Sequence, residues 1–463
     1  LGRKMLADKR QSSFLLGMVF LAFGTCTGVP NELQDWGFEL RTVAQGLQVP
    51  WSILWGFDGW LWCSERPGRI SRVHPETGEQ RVLLAHIPDL YAYSETGLLG
   101  MALHPSFADS PYVAVAYTVY AGFVELRVVR YRYDAALDTL AEPRTLLSGI
   151  RVGNIHAGCR FLNLPDGTLL LTVGEGGIPR LSQDLNSLSG KALRVRWDGG
   201  VPPDNPLPDS PVWAWGLRNS QGLALGRGGL VYLSEHGANT DDEINLLQPG
   251  RNYGWPNVEG YCDTPAEAQF CRDSNVVEPL YAWTPTVAPC GLAYYDSAFI
   301  RLAQFRHSLL LATLRGSTLY QLRLSADGLL VTQVIPYALG LGRLRDVLVT
   351  PEGRVFVTTS NRDGRGTPRA GDDKIVELIP KGQSVKAVGE RETRGVIWRA
   401  ERRLNCVIER SATLRLVDVC GRVLSQWQGI PGERWTSPEL PAGWYGVVVC
   451  VGASSCRQVF LVP

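Results

Sequence analysis

One pattern constrains the fold of this 463-residue chain more than any other. A turn of two small or acidic residues is followed by an unbroken apolar run, and the pair recurs from Leu40 onward. Asp58-Gly59 precedes LWCSE, Asp166-Gly167 precedes LLLTVGE, Gly228-Gly229 precedes VYLSEHG and Glu352-Gly353 precedes VFVTTS. YVAVAYT in the 110s and LLLATL in the 310s supply two more runs. Glycine adopts the turn conformations that other residues resist, and a short apolar run between turns reads as a buried strand. A single strand hairpin cannot bury its own faces, whereas copies stacked around an axis bury one another. The pattern predicts an all-β chain with about six blades, a β-propeller over residues 31–382. A pair of β-sandwiches is the competing architecture, but sandwiches rarely reuse one turn-and-strand signature so often.

Composition supports strands over helices. Glycine (50), proline (29) and tryptophan (14) are plentiful, and no long helical periodicity is present. The net charge of +1, with acids and bases interspersed, gives nucleic acid or an anionic membrane surface nothing to bind. Residues 1–30 read as an export signal. Arg3, Lys4, Lys9 and Arg10 precede an apolar stretch from Phe14 to Phe23 that is too short to span a bilayer. The expected mature protein is exported (periplasmic, cell-surface or extracellular) and has no integral membrane segment. Among the ten cysteines, Cys262 and Cys271 bracket an acidic loop and are expected to pair. Cys450 with Cys456 and Cys406 with Cys420 are candidate pairs in the tail. Cys63, Cys159 and Cys290 lie in or beside apolar runs, where a buried free thiol is expected.

The most informative stretch is Trp213–Pro256, WAWGLRNSQGLALGRGGLVYLSEHGANTDDEINLLQPGRNYGWP. Arg218, Asn219 and Gln221 offer donors to a flat, oxygen-rich anion. The carboxylates and turn carbonyls that follow offer hard oxygens to calcium. Composition alone reads the same segment as a polar loop between two strands.

The stretch resembles the signature of the soluble sugar dehydrogenases that use pyrroloquinoline quinone (PQQ), the glucose/sorbosone dehydrogenase family. There the pattern runs R-N-P-Q-G-L, E-x-G-P, D-D-E-I-N-L and N-Y-G-W-P, with Ser220 and Ala238 here replacing two prolines. The likeness continues in order through most of residues 41–380, and it also implies a six-bladed propeller. Glu95 in ETGLLGMALHP matches a loop that faces the cofactor. His156 in NIHAGCRF matches the catalytic histidine loop, with Ile155 where glucose-type members carry aspartate. Gly190–Pro206 matches an architectural segment, and Trp283 in WTPTVAPCG matches a segment that lines the site. Arg315 stands where the family often has lysine beside the quinone. Arg343 and Arg345 match arginines that hold PQQ carboxylates, and alternation puts both on one face of a strand.

The resemblance further implies calcium on the carbonyls of Gly237 and Ala238, and a second calcium near Glu243 and Tyr253. His156 would be the base that takes a proton from the sugar, with Arg218, Asn219 and Gln221 holding the cofactor. The implied partners are an aldose substrate and an unidentified electron acceptor. A sugar-binding or cell-surface propeller without turnover, and a calcium-dependent lactonase or hydrolase, are the alternative functions.

After Pro380 the register is lost. Residues 383–398 form a charged linker, and 399–463 carry their own strands and turns. ATLRLVDVCGRVLSQW followed by ELPAGWYGVVVCVG resembles the C-terminal sorting domains of the type IX secretion pathway, which implies contact with secretion machinery; a plain β-sandwich appendage is the alternative. A closed ring of blades buries its own faces, so the tail is expected to be dispensable for folding. Residues 31–390 should therefore match the full chain in PQQ-dependent activity and lose only a small, separate unfolding transition in calorimetry. An insoluble or inactive truncation would show that the tail completes the propeller.

Overall fold

The computed structural model describes residues 35–296 and 301–381, together with Ser437 and the strands of the tail between 395 and 462. Residues 1–30, expected to be the export signal, lie outside the described set. Among the described residues no helix is long and apolar enough to cross a membrane.

The chain forms six four-stranded antiparallel sheets arranged as the blades of a propeller. Five blades are continuous in sequence, over residues 50–84, 98–151, 158–215, 220–283 and 289–337. The sixth takes Leu344–Val349, Val355–Thr359 and Lys374–Pro380 from the end of the ring. Its outer strand is Phe38–Gln45, paired antiparallel from Phe38↔Pro380 to Gln45↔Lys374. The first segment of the propeller thus locks onto the last. Arg41 and Arg354 both bind Glu377 at this closure, at 2.5 and 2.6 Å. The first strand of each blade packs on the first strands of both neighbours, which completes the ring around the axis.

The six apolar runs that announced the repeat are the six second strands: Leu61–Glu65, Tyr112–Tyr120, Leu169–Val173, Val231–Glu235, Ser308–Thr313 and Val355–Thr359. Five of them, all but Tyr112–Tyr120, are buried along their whole length on the pattern of a doubly covered strand. That explains why they read as unbroken runs and not as apolar-polar alternation.

The first strands share a second feature. Each slips register within its opening residues, at Pro50/Ser52, Leu98/Met101, Gly158/Phe161, Ser220/Gly222, Pro289/Leu292 and Leu344/Asp346. A bulge re-aims the side chains beside it. Six bulges at one end of the axis turn the residues there toward a common centre. Glycines permit the close approach. A Cβ on Gly222 would lie 2.1 Å from the Cys290 carbonyl oxygen, and one on Gly291 would lie 2.0 Å from Asp346 Oδ1.

Arg160, in the third blade, crosses the axis. Its guanidinium donates to the Trp51 carbonyl at 3.0 Å, the Ser52 hydroxyl at 2.7 Å, the Gln221 carbonyl at 2.9 Å and Asp346 Oδ2 at 2.8 Å. One buried side chain thereby joins blades one, three, four and six. Lys191, in the architectural Gly190–Pro206 segment, is buried with its ammonium on the carbonyls of Leu181, Ser182 and Ser189.

Cys262 and Cys271 form the expected disulfide. The segment they bracket is not simply an acidic loop: Pro265–Ser274 is an α-helix. Thr264 and Glu267 form a reciprocal capping box, and Asn275 ends the helix in the left-handed conformation. The T-P-A-E sequence carries that start signal. Cys63, Cys159 and Cys290 are buried free thiols, as expected. The expected Cys406–Cys420 and Cys450–Cys456 pairings fall on side chains outside the described set. The tail strands make one three-stranded and one four-stranded antiparallel sheet. The first of them, Gly395–Ala400, begins inside the stretch expected to be linker.

Removing one partner of a buried ion pair strands the other charge, at a cost of roughly 3–5 kcal/mol. Arg160→Met should lower stability by about that amount in urea unfolding. Adding Asp346→Asn should recover part of the loss. A single-variant loss below about 1 kcal/mol would show that the axial pair does not hold the ring.

Candidate active site

The bulged ends of the first strands surround a cavity of about 350 Å³ on the propeller axis. Every blade, or the loop that enters it, contributes. Of the residues singled out in the sequence, the cavity brings together Glu95, His156, Arg218, Asn219, Gln221, Gly237, Ala238, Arg315, Arg343 and Arg345.

One expected member, Trp283, is elsewhere, and Glu243 and Tyr253, expected near a second calcium, also lie outside the cavity. Trp283 is buried in an apolar cluster, edge-on to Tyr281 at 4.7 Å and 5.7 Å from the Tyr320 ring, so it does not line the cavity. Glu243 is buried, accepting from the Asn245 amide and the Gly260 backbone, both at 2.8 Å. Burial pushes its carboxyl up to about 8. The Tyr253 hydroxyl is likewise engaged, donating to the Leu246 carbonyl at 2.7 Å and accepting from Gln248 N at 2.8 Å. In sequence all three sit among cavity residues. In the sheet they point into the packing around the fourth blade.

The histidine is held on three sides. Its backbone N donates to Glu95 Oε2 at 2.9 Å, and its carbonyl accepts from Gly176 N at 3.0 Å. Its Nδ1 lies 2.7 Å from Glu175 Oε1. Glu175 is buried and its other oxygen has no partner. A carboxylate on Nδ1 fixes the tautomer that leaves Nε2 as the acceptor. Gly174 makes the arrangement possible, because a Cβ there would fall 1.9 Å from the His156 carbonyl oxygen. The sequence LTVGEGG contained both the acid and the glycines. Nothing in it marked Glu175 as the partner of a residue 19 positions away.

The same cavity holds a set of cations. Six arginines line the cavity, Arg66, Arg218, Arg315, Arg343, Arg345 and Arg365, against the carboxylates of Glu95, Asp242 and Asp363. Arg343 Nε and Arg345 Nη2 both reach Asp363 Oδ2, at 2.8 and 3.3 Å; Arg343 precedes the strand and a bulge follows it, so a common acid and not strand alternation joins the two. Burial alone would raise the Asp363 carboxyl. The charges of Arg345 and Arg343 outweigh it and hold the group below its usual range. Arg345 also donates to Gln221 Oε1 at 2.8 Å and lies over the Trp51 ring at 4.2 Å. Arg315 bonds the Thr286 hydroxyl at 2.6 Å, and Arg365 pairs with Glu95 at 2.6 Å. Burial, and then the Arg345 charge, pull Arg66 below the ordinary guanidinium range.

A buried acid supports the Arg218–Gln221 segment. Glu235 accepts from Asn219 N at 2.6 Å and from the Ser220 hydroxyl at 2.5 Å, and burial lifts its carboxyl to about 7. Next to it, burial and the Arg218 charge drive His236 down to about 3, so this ring is a neutral part of the wall. Asp242 closes the Gly237 turn, accepting from Gly237 N at 2.9 Å and Ala288 N at 2.7 Å. Trp51, Arg66, Glu175, His236, Asp242 and Asp363 are the residues that sequence reading missed, because tertiary contacts alone bring them here.

A guanidinium cluster this dense and poor in acids is built to receive an anion, beside an oriented base. Comparison with known proteins agrees with that class. Residues 47–368 match the family model described as Glucose / Sorbosone dehydrogenase. The chain belongs to the glucose/sorbosone dehydrogenase family and is an oxidoreductase of that group. It is 36% identical to the structure of the PQQ-bound form of aldose sugar dehydrogenase from Streptomyces coelicolor, with a TM-score of 0.65 over 74% of this chain and 98% of that one. Quinoprotein glucose dehydrogenase B of Acinetobacter calcoaceticus is 29% identical, over 71% of this chain and 86% of that protein. Aldose sugar dehydrogenase YliI of Escherichia coli is 29% identical, over 61% of this chain and 79% of that protein.

The contact between Gly174 and the His156 carbonyl yields a prediction that needs no substrate. Gly174→Ala should cost about 1–3 kcal/mol through overpacking and displace the His156 loop. Thermal unfolding and the His156 ring resonances in NMR measure the two effects. A variant unchanged in both would place these loops farther apart than described.

Proposed function

We propose that this protein oxidises aldose sugars at the anomeric carbon to lactones, with PQQ and calcium as cofactors and His156 as the general base. One observation carries the reading: an imidazole oriented by Glu175 and six arginines line one cavity.

The residues fit a flat tricarboxylate. Its carboxylates would meet Arg343, Arg345, Arg218 and Arg315, with Asn219 and Gln221 as neutral donors. Arg218 has a buried Nε without a partner, so a donor remains for an incoming group. Calcium would sit on the carbonyl oxygens of Gly237 and Ala238. Both residues line the cavity, and among the described residues no hydrogen bond occupies either oxygen. The change from proline to Ala238 leaves that carbonyl in place. Among the described residues no three His, Cys, Asp or Glu side chains cluster as metal ligands, which favours backbone ligation over the carboxylate cage a calcium hydrolase would use.

PQQ, when bound, supplies an ortho-quinone able to accept the hydrogen and two electrons of the anomeric C–H. The protein's own part is positional and protonic. His156 Nε2 removes the proton of the anomeric hydroxyl, and Glu175 steadies the imidazolium that forms. Glu95, bonded to the His156 backbone and to Arg365, ties the loop that carries the base to the arginine cluster. A sugar-binding propeller without turnover would gain nothing from a carboxylate on Nδ1.

Reconstituting purified protein with PQQ and calcium and following dye reduction with aldoses tests the reading. His156→Ala should leave PQQ bound but lower turnover by about 10²–10⁴-fold. Unchanged turnover would remove His156 from the mechanism. Arg343→Ala and Arg345→Ala should each weaken PQQ by about ten- to hundredfold in titration of the apoprotein. Equal affinities in wild type and both variants would move the cofactor elsewhere.

A further inference from the structure

The proposed chemistry leaves one feature at this end of the propeller unused: three tyrosines on the rim beside His156. Tyr91 and Tyr93 belong to the loop entering the second blade, and Tyr120 ends that blade's second strand. Tyr91 is the middle ring, with its centroid 5.8 Å from Tyr120 and 6.4 Å from Tyr93, tilted 41° and 40° to them. Tyr93 and Tyr120 are 62% and 66% exposed. Grouped, exposed aromatics of this kind mark a surface that binds something.

The rim is fixed to the catalytic loop. The Thr118 hydroxyl donates to the Tyr91 carbonyl at 2.6 Å, and Tyr91 N donates to the Thr118 carbonyl at 2.7 Å. The Thr96 hydroxyl does the same for Tyr93, at 2.6 Å. The Tyr91 hydroxyl reaches Asn154 Oδ1 at 3.1 Å, and the Asn154 carbonyl accepts from Glu95 N at 3.1 Å. Glu95 in turn receives the His156 backbone N–H. Between Asn154 and His156 lies Ile155, 39% exposed, which extends the apolar surface to the edge of the base. The track is thus continuous and pre-ordered, so a ligand laid on it loses little to rearrangement.

We propose that this rim is a subsite for neutral oligosaccharides, which bind with the reducing unit at His156 and the preceding units across Tyr93, Tyr91 and Tyr120. The inference rests on the sugar-oxidising reading of the cavity. Pyranose rings present apolar C–H faces and a belt of hydroxyls, which match an aromatic face with a phenolic edge. The ring spacing is of the order of one sugar unit. Charge points the same way: the rim residues are uncharged, and the nearby Asp89 and Arg127 neutralise each other at 2.9 Å. A surface for a charged protein acceptor would carry unpaired charge.

Two readouts test the proposal. The first is kcat/KM of the PQQ- and calcium-loaded enzyme for glucose and for malto- and cello-oligosaccharides. The second is calorimetric binding of borohydride-reduced oligosaccharides, which cannot be oxidised, to the protein without cofactor. Relative to glucose, kcat/KM should rise about three- to tenfold over the first added units, through KM, as expected for one added aromatic contact. The double variant Tyr93→Ala/Tyr120→Ala should flatten that rise and lower reduced-oligosaccharide affinity by a similar factor. Tyr120→Phe, which keeps the ring, should retain most of the rise. Glucose oxidation with a flat chain-length profile overturns the subsite, and so does a rise that the double variant leaves intact. A slower turnover in the double variant for every sugar, with KM unchanged, would make the rim an acceptor surface and also overturn it. Loss of reduced-oligosaccharide binding in the double variant, with no sugar oxidised by either protein, would support the subsite and reject the oxidase chemistry.

Discussion

Arg160 and Asp346 hold the centre of this protein. A ring of six sheets has no single core to organise it, and its first strands converge on an axis where backbone groups and side chains from opposite blades must be satisfied together. The Arg160 guanidinium does this for four blades at once, through Trp51, Ser52, Gln221 and Asp346. Taking a charge out of water is costly, and the cost is met only if geometry and partners are both good. That requirement makes the axis rigid. It also forms the floor of the cavity, since Trp51 and Gln221 carry Arg345 on their upper side.

Above that floor the site divides by blade. The first, fourth, fifth and sixth blades and their loops supply the arginines, and the loops entering the second and third supply Glu95 and His156. Guanidinium groups packed in one cavity repel one another, and Arg66, lowered first by burial, is lowered further by the Arg345 charge. Asp363 relieves part of that repulsion by taking both Arg343 and Arg345. The remainder is available to an anion, so a cofactor bearing several carboxylates would stabilise the folded protein as well as serve it.

The other half of the site is ordered by contacts among loops. His156 is held by a neighbouring acid, a neighbouring backbone amide and a glycine that lets two chains touch. The tyrosine rim is attached to the same loop through Asn154. Orientation of the base and presentation of the rim therefore depend on one set of hydrogen bonds, and motion in either would be felt by both.

The sequence by itself determined the repeat. The apolar runs that form the second strands require burial on two faces, and only stacked blades provide that for all six. It also carried most of the polar cavity, through the motifs that singled out Arg218, Asn219, Gln221, Arg343 and Arg345, although the bulges beside them appeared only in the sheets. The helix at Pro265–Ser274 was legible too, in its capping box, although its acidic composition suggested a loop. What only the tertiary structure decided was pairing across blades. Glu175 on His156, Asp363 under two arginines and Arg160 on Asp346 join positions whose separation in the chain carries no periodic signal. The same holds for Trp283, which follows the right motif but ends a strand whose side-chain directions are set by its register with Asp242–Leu247.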